Sequence, residues 1–208
     1  EFADQLSQLP MVRRVTPARE FSRPREFNLQ PGQPVEKVTS VSYIGSVEAN
    51  RLGFTGAGMR IGILDTGIDY THTMLGGSGQ GYSEVDPALP NAAFPNAKVV
   101  AGVDLVGTDF DAASSLASQR HPLPDANPLD EMGHGSHVAG TVAGIGDGLN
   151  TYSGVAPDAQ LYAVKVFGKE GSTTDAVVVA AFEYSVDPNH DLDPNDRLDV
   201  INLSLGGG

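Results

Sequence analysis

The chain has 208 residues, of which 40% are hydrophobic, so it is long enough to bury one substantial core. Its formal net charge of −13 argues against a nucleic-acid partner, because a phosphate backbone attracts basic surfaces. The absence of cysteine excludes disulfides, thiolate metal sites and a cysteine nucleophile, and no apolar run is long enough to predict a membrane span. We therefore expect a globular domain without nucleic-acid or membrane partners.

The first part of the chain has little regular pattern. Residues 1–34 are interrupted by five prolines and carry most of the arginines, which is typical of a linker-like arm. A short strand is predicted at Met11–Val15. The next segment, Ser46–Gly53, predicts a short helix that Ser46 caps and that Gly53 ends in a left-handed turn.

Four apolar stretches then predict strands, and two segments between them predict helices over residues 131–145 and 174–184, the second capped by Thr173 or Thr174. The strands are expected at Met59–Asp65, Ala97–Leu105, Ala159–Phe167 and Leu198–Ser204. Strands that alternate with helices indicate an α/β domain with a largely parallel sheet. The rest of residues 71–131 is predicted as loop, with the acidic residues of 104–131 on a solvated face. Because the chain stops just after a predicted buried strand, we expect it to be part of a longer protein.

The segment 131–145 places a histidine at the entrance of a helix made of small residues. Positions 134, 137, 138, 141, 142 and 145 follow the spacing of one helical face, and the remaining positions are small as well. A helix that is small or apolar all round belongs inside a domain. His134 would then be held rigidly, which suits a catalytic base, although a structural histidine fits the same pattern.

Two kinds of strand end suggest where the chemistry lies. In open parallel sheets, ligands bind at the carboxyl ends of the strands. Asp65 ends the first buried strand, and an aspartate there together with an imidazole at a helix start is the orienting half of an acyl-transfer triad. The third and fourth strands end in glycines, which allow another backbone to approach and to be held as an extended peptide.

Several segments, taken together, resemble the subtilisin-like serine proteases (the subtilase family). They are residues 61–69, 134–141 and 199–207, with connecting segments at 154–157 and 161–166. The resemblance implies a three-layer α/β/α sandwich with a mostly parallel sheet, of which this chain would supply the N-terminal portion. It also implies a secreted serine endopeptidase that acts on polypeptides.

The resemblance assigns Asp65 as the triad aspartate and His134 as the general base. It assigns peptide binding to residues at the ends of the third and fourth strands: Phe167, Gly171, Ser172, Thr173, Ser204, Leu205, Gly206 and Gly207. Residues 5–17 resemble the end of the family's inhibitory propeptide. We therefore expect residues 1–34 to be a propeptide tail, residues 35–208 to begin the catalytic domain, and the maturation cut to fall within residues 18–40.

The chain departs from the family pattern at three places. The 69 positions from Asp65 to His134 exceed the spacing in compact bacterial members and are more similar to the large secreted subclass. The loop 146–153 does not reproduce the family's calcium loop, so no metal ligand is assigned, a structural calcium has no assignable site, and catalysis needs no cofactor. The family's Gly-Thr-Ser-Met-Ala nucleophile motif is absent, so the chain alone is expected to be inactive and to need the remaining C-terminal part of the protein.

Four alternatives stay open beside this interpretation. The Asp-Thr-Gly triplet at 65–67 also occurs in aspartic proteases, which are all-β and conflict with the helices predicted here. His134 and His137 have metal-ligand spacing, but spacing places no third ligand. Ser204 could be a nucleophile, although the resemblance places it in a peptide-binding segment. Finally, the chain could be an inactive fragment or relative that retains only peptide binding.

Overall fold

The computed structural model describes residues 2–9, 11–22, 41, 43–146 and 153–206. Within these residues the α-helices are α1 (Phe2–Ser7), α2 (Ser46–Arg51), α3 (His134–Ala143) and α4 (Asp175–Val186). The strands are β1 (Glu20–Phe21), β2 (Arg60–Asp65), β3 (Val99–Asp104), β4 (Gln160–Lys165), β5 (Thr173–Thr174) and β6 (Val200–Asn202). Short 3₁₀ turns lie at Thr73–Leu75, Tyr82–Glu84, Ala117–Arg120 and Pro194–Asp196.

Four strands form one parallel sheet in the order β3-β4-β2-β6. In its register, Asp65 at the end of β2 lies beside Lys165 at the end of β4, and Ile63 lies beside Asn202 of β6. The carboxyl ends of β2, β3 and β4 therefore meet at one edge of the sheet. The predicted parallel α/β architecture is confirmed.

Alternate residues of the strands face opposite sides of the sheet, and each side is covered by a helix. On one side, Ile61 and Ile63 of β2 belong to a buried cluster with Ala139 and Ala143 of α3. On the other side, Leu64 belongs to a second cluster, together with Val177, Ala181 and Tyr184 of α4. The domain thus has the three layers, helix, sheet and helix, that the family resemblance implies.

Helix α3 begins at His134, but its buried stripe differs from the predicted face. The buried residues are Gly135, Ala139 and Ala143, spaced four apart, whereas His137 is exposed. The reason is close packing against the turn that follows β2: a Cβ added to Gly135 would lie 2.1 Å from Gly67 O. The smallest side chains therefore face inward, and the helix is not enclosed on every side.

Several other local predictions need correction. Residues 11–19 form no strand, and α2 is capped by Gly45 in a left-handed conformation, not by Ser46, which is buried inside the first turn. Thr174, in contrast, is the predicted cap of α4, because its side chain accepts a hydrogen bond from Val177 N.

Strand β6 was predicted to be buried but is an edge strand among the described residues. Its Val200 is 46% exposed, because the structure describes no strand on the outer side of β6. None of the described helices is both long and apolar enough to cross a membrane.

Candidate active site

Strand β2 and helix α3 bring Asp65 and His134 together. Asp65 is completely buried at the carboxyl end of β2, and His134 is the first residue of α3. His134 Nδ1 lies 2.6 Å from Asp65 Oδ1, and the imidazole keeps 13% of its surface exposed. A buried carboxylate at this distance holds the ring orientation and favours the tautomer with the proton on Nδ1.

The surroundings of Asp65 disfavour its charge. Burial raises the pKa of this carboxyl above its ordinary value, while hydrogen bonds from His134 and from Thr66 N at 2.7 Å act in the opposite direction. Asp65 Oδ2 is buried and has no hydrogen-bond partner among the described residues. An under-satisfied carboxylate of this kind gains most when the neighbouring imidazole becomes positively charged.

A second buried carboxylate, Asp130, connects the turn after Asp65 with the helix that carries His134. Its Oδ1 accepts hydrogen bonds from Thr66 Oγ1 at 2.8 Å, Met132 N at 3.0 Å and Gly133 N at 2.9 Å. Its Oδ2 accepts from Ser136 N at 2.8 Å and Ser136 Oγ at 2.6 Å. Thr66 follows Asp65, and Ser136 lies in the first turn of α3, so Asp130 connects the turn after β2 with the start of the histidine helix.

Thr66 and Ser136 extend this connection in both directions. Thr66 Oγ1 accepts a hydrogen bond from Gly135 N at 2.8 Å, and Ser136 Oγ accepts one from Asp69 N at 2.7 Å. The hydroxyl groups therefore donate to Asp130 and accept from the opposite element. Buried polar networks in which each member is satisfied specify one arrangement of the groups they join.

The prediction that the acidic residues of 104–131 form a solvated face is wrong for Asp104 and Asp130, which are fully buried. The sequence held one signal for Asp130: an aspartate shortly before a helix start is a common acceptor for the helix's free N–H groups. That signal does not reveal the link to Thr66, which comes from a different element. The signal for Asp104 is Lys165, since a lysine inside an apolar strand requires a buried acidic partner.

Lys165 forms a charged cluster beside the pair. Its Nζ lies 3.2 Å from Asp104 Oδ2 and 3.1 Å from Glu131 Oε2, and Thr108 Oγ1 donates to Glu131 at 2.8 Å. Burial raises the pKa of Asp104, and Lys165 opposes this shift. Since Glu131 lies three residues before His134, the cluster anchors the segment that leads into α3.

Two main-chain edges lie near the ends of β4 and β6. We call residues 171–174 the first peptide edge and residues 204–206 the second peptide edge. Residues 20–22 run between them: Glu20 and Phe21 pair antiparallel with Thr174 and Thr173. Ser22 N donates to Gly206 O at 2.7 Å, and Gly206 N donates to Ser22 O at 2.9 Å. The two edges thus hold an extended segment by main-chain hydrogen bonds.

The predicted peptide-binding residues differ in how exposed they are. Ser172 and Thr173 are buried, Ser204 and Leu205 are half-buried, and Gly206 is exposed. Gly171 has a left-handed conformation with φ +91°, which favours glycine. Phe167 is fully buried in the cluster against which Leu205 packs, so it presents no open surface. Gly207 and most of the loop 146–153 lie outside the described residues.

Among the described residues, one group of three side chains has the spacing to hold a cation, and it lies away from this site. Carboxylate oxygens of Asp187, Asp191 and Asp196 lie within 4.8 Å of one another. Their loop precedes β6, so it is at the amino-terminal edge of the sheet, opposite Asp65. His134 and His137 do not belong to a group of three possible ligands in the described part of the chain.

Comparison with known proteins gives a family match over most of the chain. Residues 56–208 match the model of the subtilase family, Peptidase S8. The minor extracellular protease Vpr of Bacillus subtilis (strain 168) is 37% identical over 168 residues, which cover 80% of this chain and 16% of Vpr. Bacillopeptidase F of the same organism is 31% identical over 220 aligned positions, which cover 100% of this chain and 14% of that protein.

A shorter relative gives the same result. Subtilisin DY of Bacillus licheniformis is 34% identical over 156 residues, which cover 74% of this chain and 39% of that protein. The chain therefore spans well under half the length of each of these relatives. The match of the family model together with these identities leaves no ambiguity about ancestry: the chain belongs to the subtilase family of serine peptidases.

Proposed function

We propose that the whole protein is a secreted serine endopeptidase in which His134 is the general base and Asp65 orients it. The observation that carries the proposal is the 2.6 Å contact between His134 Nδ1 and Asp65 Oδ1 at the carboxyl edge of the sheet. With the proton of the imidazole held on Nδ1, Nε2 is free to accept a proton from a nucleophile. The extracellular relative Vpr supports the expectation of secretion.

In this mechanism a serine beyond Gly208 attacks the carbonyl carbon of a peptide bond. His134 takes the serine proton as the serine oxygen bonds to that carbon, and the imidazolium that forms is stabilised by Asp65. The imidazolium then donates the proton to the leaving amine, and water releases the acyl group by the reverse sequence. The protein's own groups supply every step, so we propose no cofactor for the chemistry.

The substrate in this proposal is an extended polypeptide between the first and second peptide edges. Residues 20–22 already occupy such a position through the pairs with Thr173, Thr174 and Gly206, which supports the role of these edges. The same contacts support a zymogen. In this zymogen, residues 1–34 are a propeptide tail that fills the space between the two peptide edges, which we call the groove, and residues 35–208 begin the catalytic domain. The exposed apolar side chains of Val200 and Ile201 support a further partner, the remaining C-terminal part of the protein.

The decisive experiment compares the full-length protein with its His134→Ala variant on an unfolded protein substrate such as casein. In subtilisin, loss of the histidine or of the serine alone costs about six orders of magnitude in turnover, so hydrolysis should fall to background. His121→Ala, in an exposed loop, is the matched control and should retain full activity. Undiminished hydrolysis by the His134 variant would disprove the assignment.

A second candidate function is peptide binding without catalysis. The observation that favours it is that both peptide edges and the Asp65–His134 pair form within these residues, whereas the nucleophile motif is absent from the 208 residues. We propose that residues 1–208 alone hydrolyse no peptide. Stoichiometric labelling of the isolated chain by a fluorophosphonate would contradict this, and a full-length protein that also fails to label would favour the binding function.

A further inference from the structure

The first peptide edge is supported from behind by the segment Thr108–Ala113. This segment belongs to the long stretch between Asp65 and His134, and it follows the edge on the side away from residues 20–22. Ala112 N donates to Ser172 O at 3.0 Å, and Lys169 N donates to Thr108 O at 2.9 Å. The first peptide edge is thus an inner strand between this segment and the segment that fills the groove.

The alternation of an extended backbone explains this arrangement. Successive residues of a strand direct their N–H and C=O groups to opposite neighbours. Ser172 directs its backbone groups to Asp111 and Ala112, whereas Thr173, the next residue, pairs with Phe21. The position of the groups that face the groove therefore depends on how Ser172 is held from behind.

Asp111 makes the central contact. Its Oδ1 accepts hydrogen bonds from Ser172 N at 2.9 Å, Ser172 Oγ at 3.2 Å and Ala113 N at 3.0 Å. The carboxylate also lies directly on Gly171: a Cβ added to Gly171 would be 2.3 Å from Asp111 Cγ. One oxygen thus joins both segments, and the glycine is required by its φ of +91° as well as by this contact.

The segment that carries Asp111 is itself closed by hydrogen bonds. Asp111 N donates to Gln119 O at 2.9 Å, and Ser114 Oγ donates to Gln119 Oε1 at 2.6 Å. On its other side, a Cβ added to Gly168 would lie 2.4 Å from Phe110 O, so the two backbones are in direct contact. The support behind the edge is therefore a packed unit.

We propose that Asp111 is a positioning residue that sets the geometry of the first peptide edge and so determines how tightly long peptides bind. This inference rests on the proposed function of that edge. Asp111 does not touch the Asp65–His134 pair, so its effect should appear in binding of residues distant from the cleaved bond. The affinity for a peptide too short to reach the first peptide edge should not change.

The first test is kinetic and uses the full-length protein. Asp111→Ala should raise KM for an extended peptide about tenfold, the factor that corresponds to about 1.4 kcal/mol, and should leave kcat and the hydrolysis of a single-residue ester unchanged. Asp111→Asn, which keeps the acceptor oxygen, should restore the KM. Asp109→Asn is the control, because Asp109 is exposed and pairs across the surface with Lys169 at 3.0 Å.

The second test is hydrogen exchange on the 208-residue chain, which needs no catalysis. Asp111→Ala, and also Ser172→Ala, should speed amide exchange at residues 172–175 and 19–22 about tenfold, because the strand loses its fixed neighbour. Exchange in β2 should stay unchanged, which shows that the domain remains folded.

The two tests separate this inference from the proposed function. Equal loss of activity on the ester and on the peptide, or unchanged exchange at residues 172–175, would overturn the role of Asp111. If the unaltered protein hydrolyses nothing while exchange responds as expected, the proposed endopeptidase activity fails and the positioning role stands.

Discussion

The Asp65–His134 pair and the peptide groove lie at the same end of the sheet but are built differently. Side-chain hydrogen bonds hold the pair, and Asp130, the main acceptor, is fully buried. Main-chain groups of two edges form the groove, and residues 20–22 complete it. The geometry for proton transfer is therefore set by side-chain contacts inside the domain, whereas the groove offers main-chain groups to the extended segment that lies in it.

After His134→Ala, the largest effect should follow from Asp65→Asn in the full-length protein. The amide can donate to His134 Nδ1, which would hold the imidazole in the wrong tautomer, and in the analogous triad of an unrelated fold this change lowers turnover about 10⁴-fold. KM should change little, and peptide hydrolysis under saturating substrate measures the effect. Asp199→Asn is the control, because Asp199 lies at the opposite end of the sheet and accepts from Arg60 N. A loss smaller than tenfold would contradict the role of Asp65.

Asp130→Ala should have the next largest effect, because it removes the acceptor that joins the two sides of the pair. Buried donors on Thr66, Gly133 and Ser136 would lose their partner, and we expect the free energy of unfolding to fall by about 3 kcal/mol. Turnover should fall about a hundredfold as the histidine helix shifts, with KM nearly unchanged.

Urea denaturation and steady-state kinetics would measure both consequences of Asp130→Ala. Asp86→Ala is the control, since the Asp86 side chain is exposed and accepts a local hydrogen bond from Ala88 N. A variant with full turnover would show that Asp130 does not position the pair. A rise in KM alone would place its effect in the groove instead.

Ser22→Pro should loosen the groove without affecting the pair. Proline has no N–H, so the hydrogen bond from residue 22 to Gly206 O is lost. Residues 20–22 would then bind the groove less tightly by about 1.4 kcal/mol, so the 208-residue chain should bind a fluorescent extended peptide about tenfold more tightly. Thr16→Pro, in the irregular and exposed part of the same arm, is the control. Unchanged peptide affinity would mean that residues 20–22 do not compete for the groove.

The smallest effect concerns pH. The folded-state pKa of Asp65 is raised by burial, so between the unfolded-state value near 3.8 and the folded-state value the native protein binds more protons than the unfolded chain. Stability should therefore fall as pH rises through this window, and Asp65→Asn should remove that part of the decline. Urea denaturation of both proteins at several pH values tests this, and parallel curves would contradict it.

Much of the fold could be predicted from the sequence, because strands buried on both faces are short apolar runs and α4 has a clear capping residue. The sequence could not exclude a strand at 11–15, because the short apolar pattern of these residues is typical of a strand. The segment forms no strand because the described part of the fold offers it no partner strand. Strand β6 looked buried for a similar reason: Val200 and Ile201 are apolar, but their exposure depends on a neighbour and not on their own type. The local sequence pattern indicates which side chains are apolar, but their burial depends on which element packs against them.

For the site, the sequence predicted Asp65, His134 and the two peptide edges. The structure brings Asp65 and His134 into contact and pairs both edges with residues 20–22. It did not identify Asp130 or Asp111, since both were read as part of a solvated acidic loop. Each carboxylate is engaged by backbone N–H groups and by a hydroxyl from an element distant in sequence. Partners from distant elements have no sequence signature, because any residue except proline can supply a backbone N–H and hydroxyl side chains occur throughout the chain.

The sequence by itself determined the α/β class, the family, and the two residues that form the histidine pair, because strand patterns and short motifs are local. Only the tertiary structure decided which acidic residues are buried, which side chains of α3 face the sheet, and where residues 20–22 lie. The physical reason is that the sequence names an aspartate or a glutamate in the same way whether its carboxylate is exposed or buried. Whether it stays ionised inside depends on the donors that folding brings to it from elsewhere in the chain.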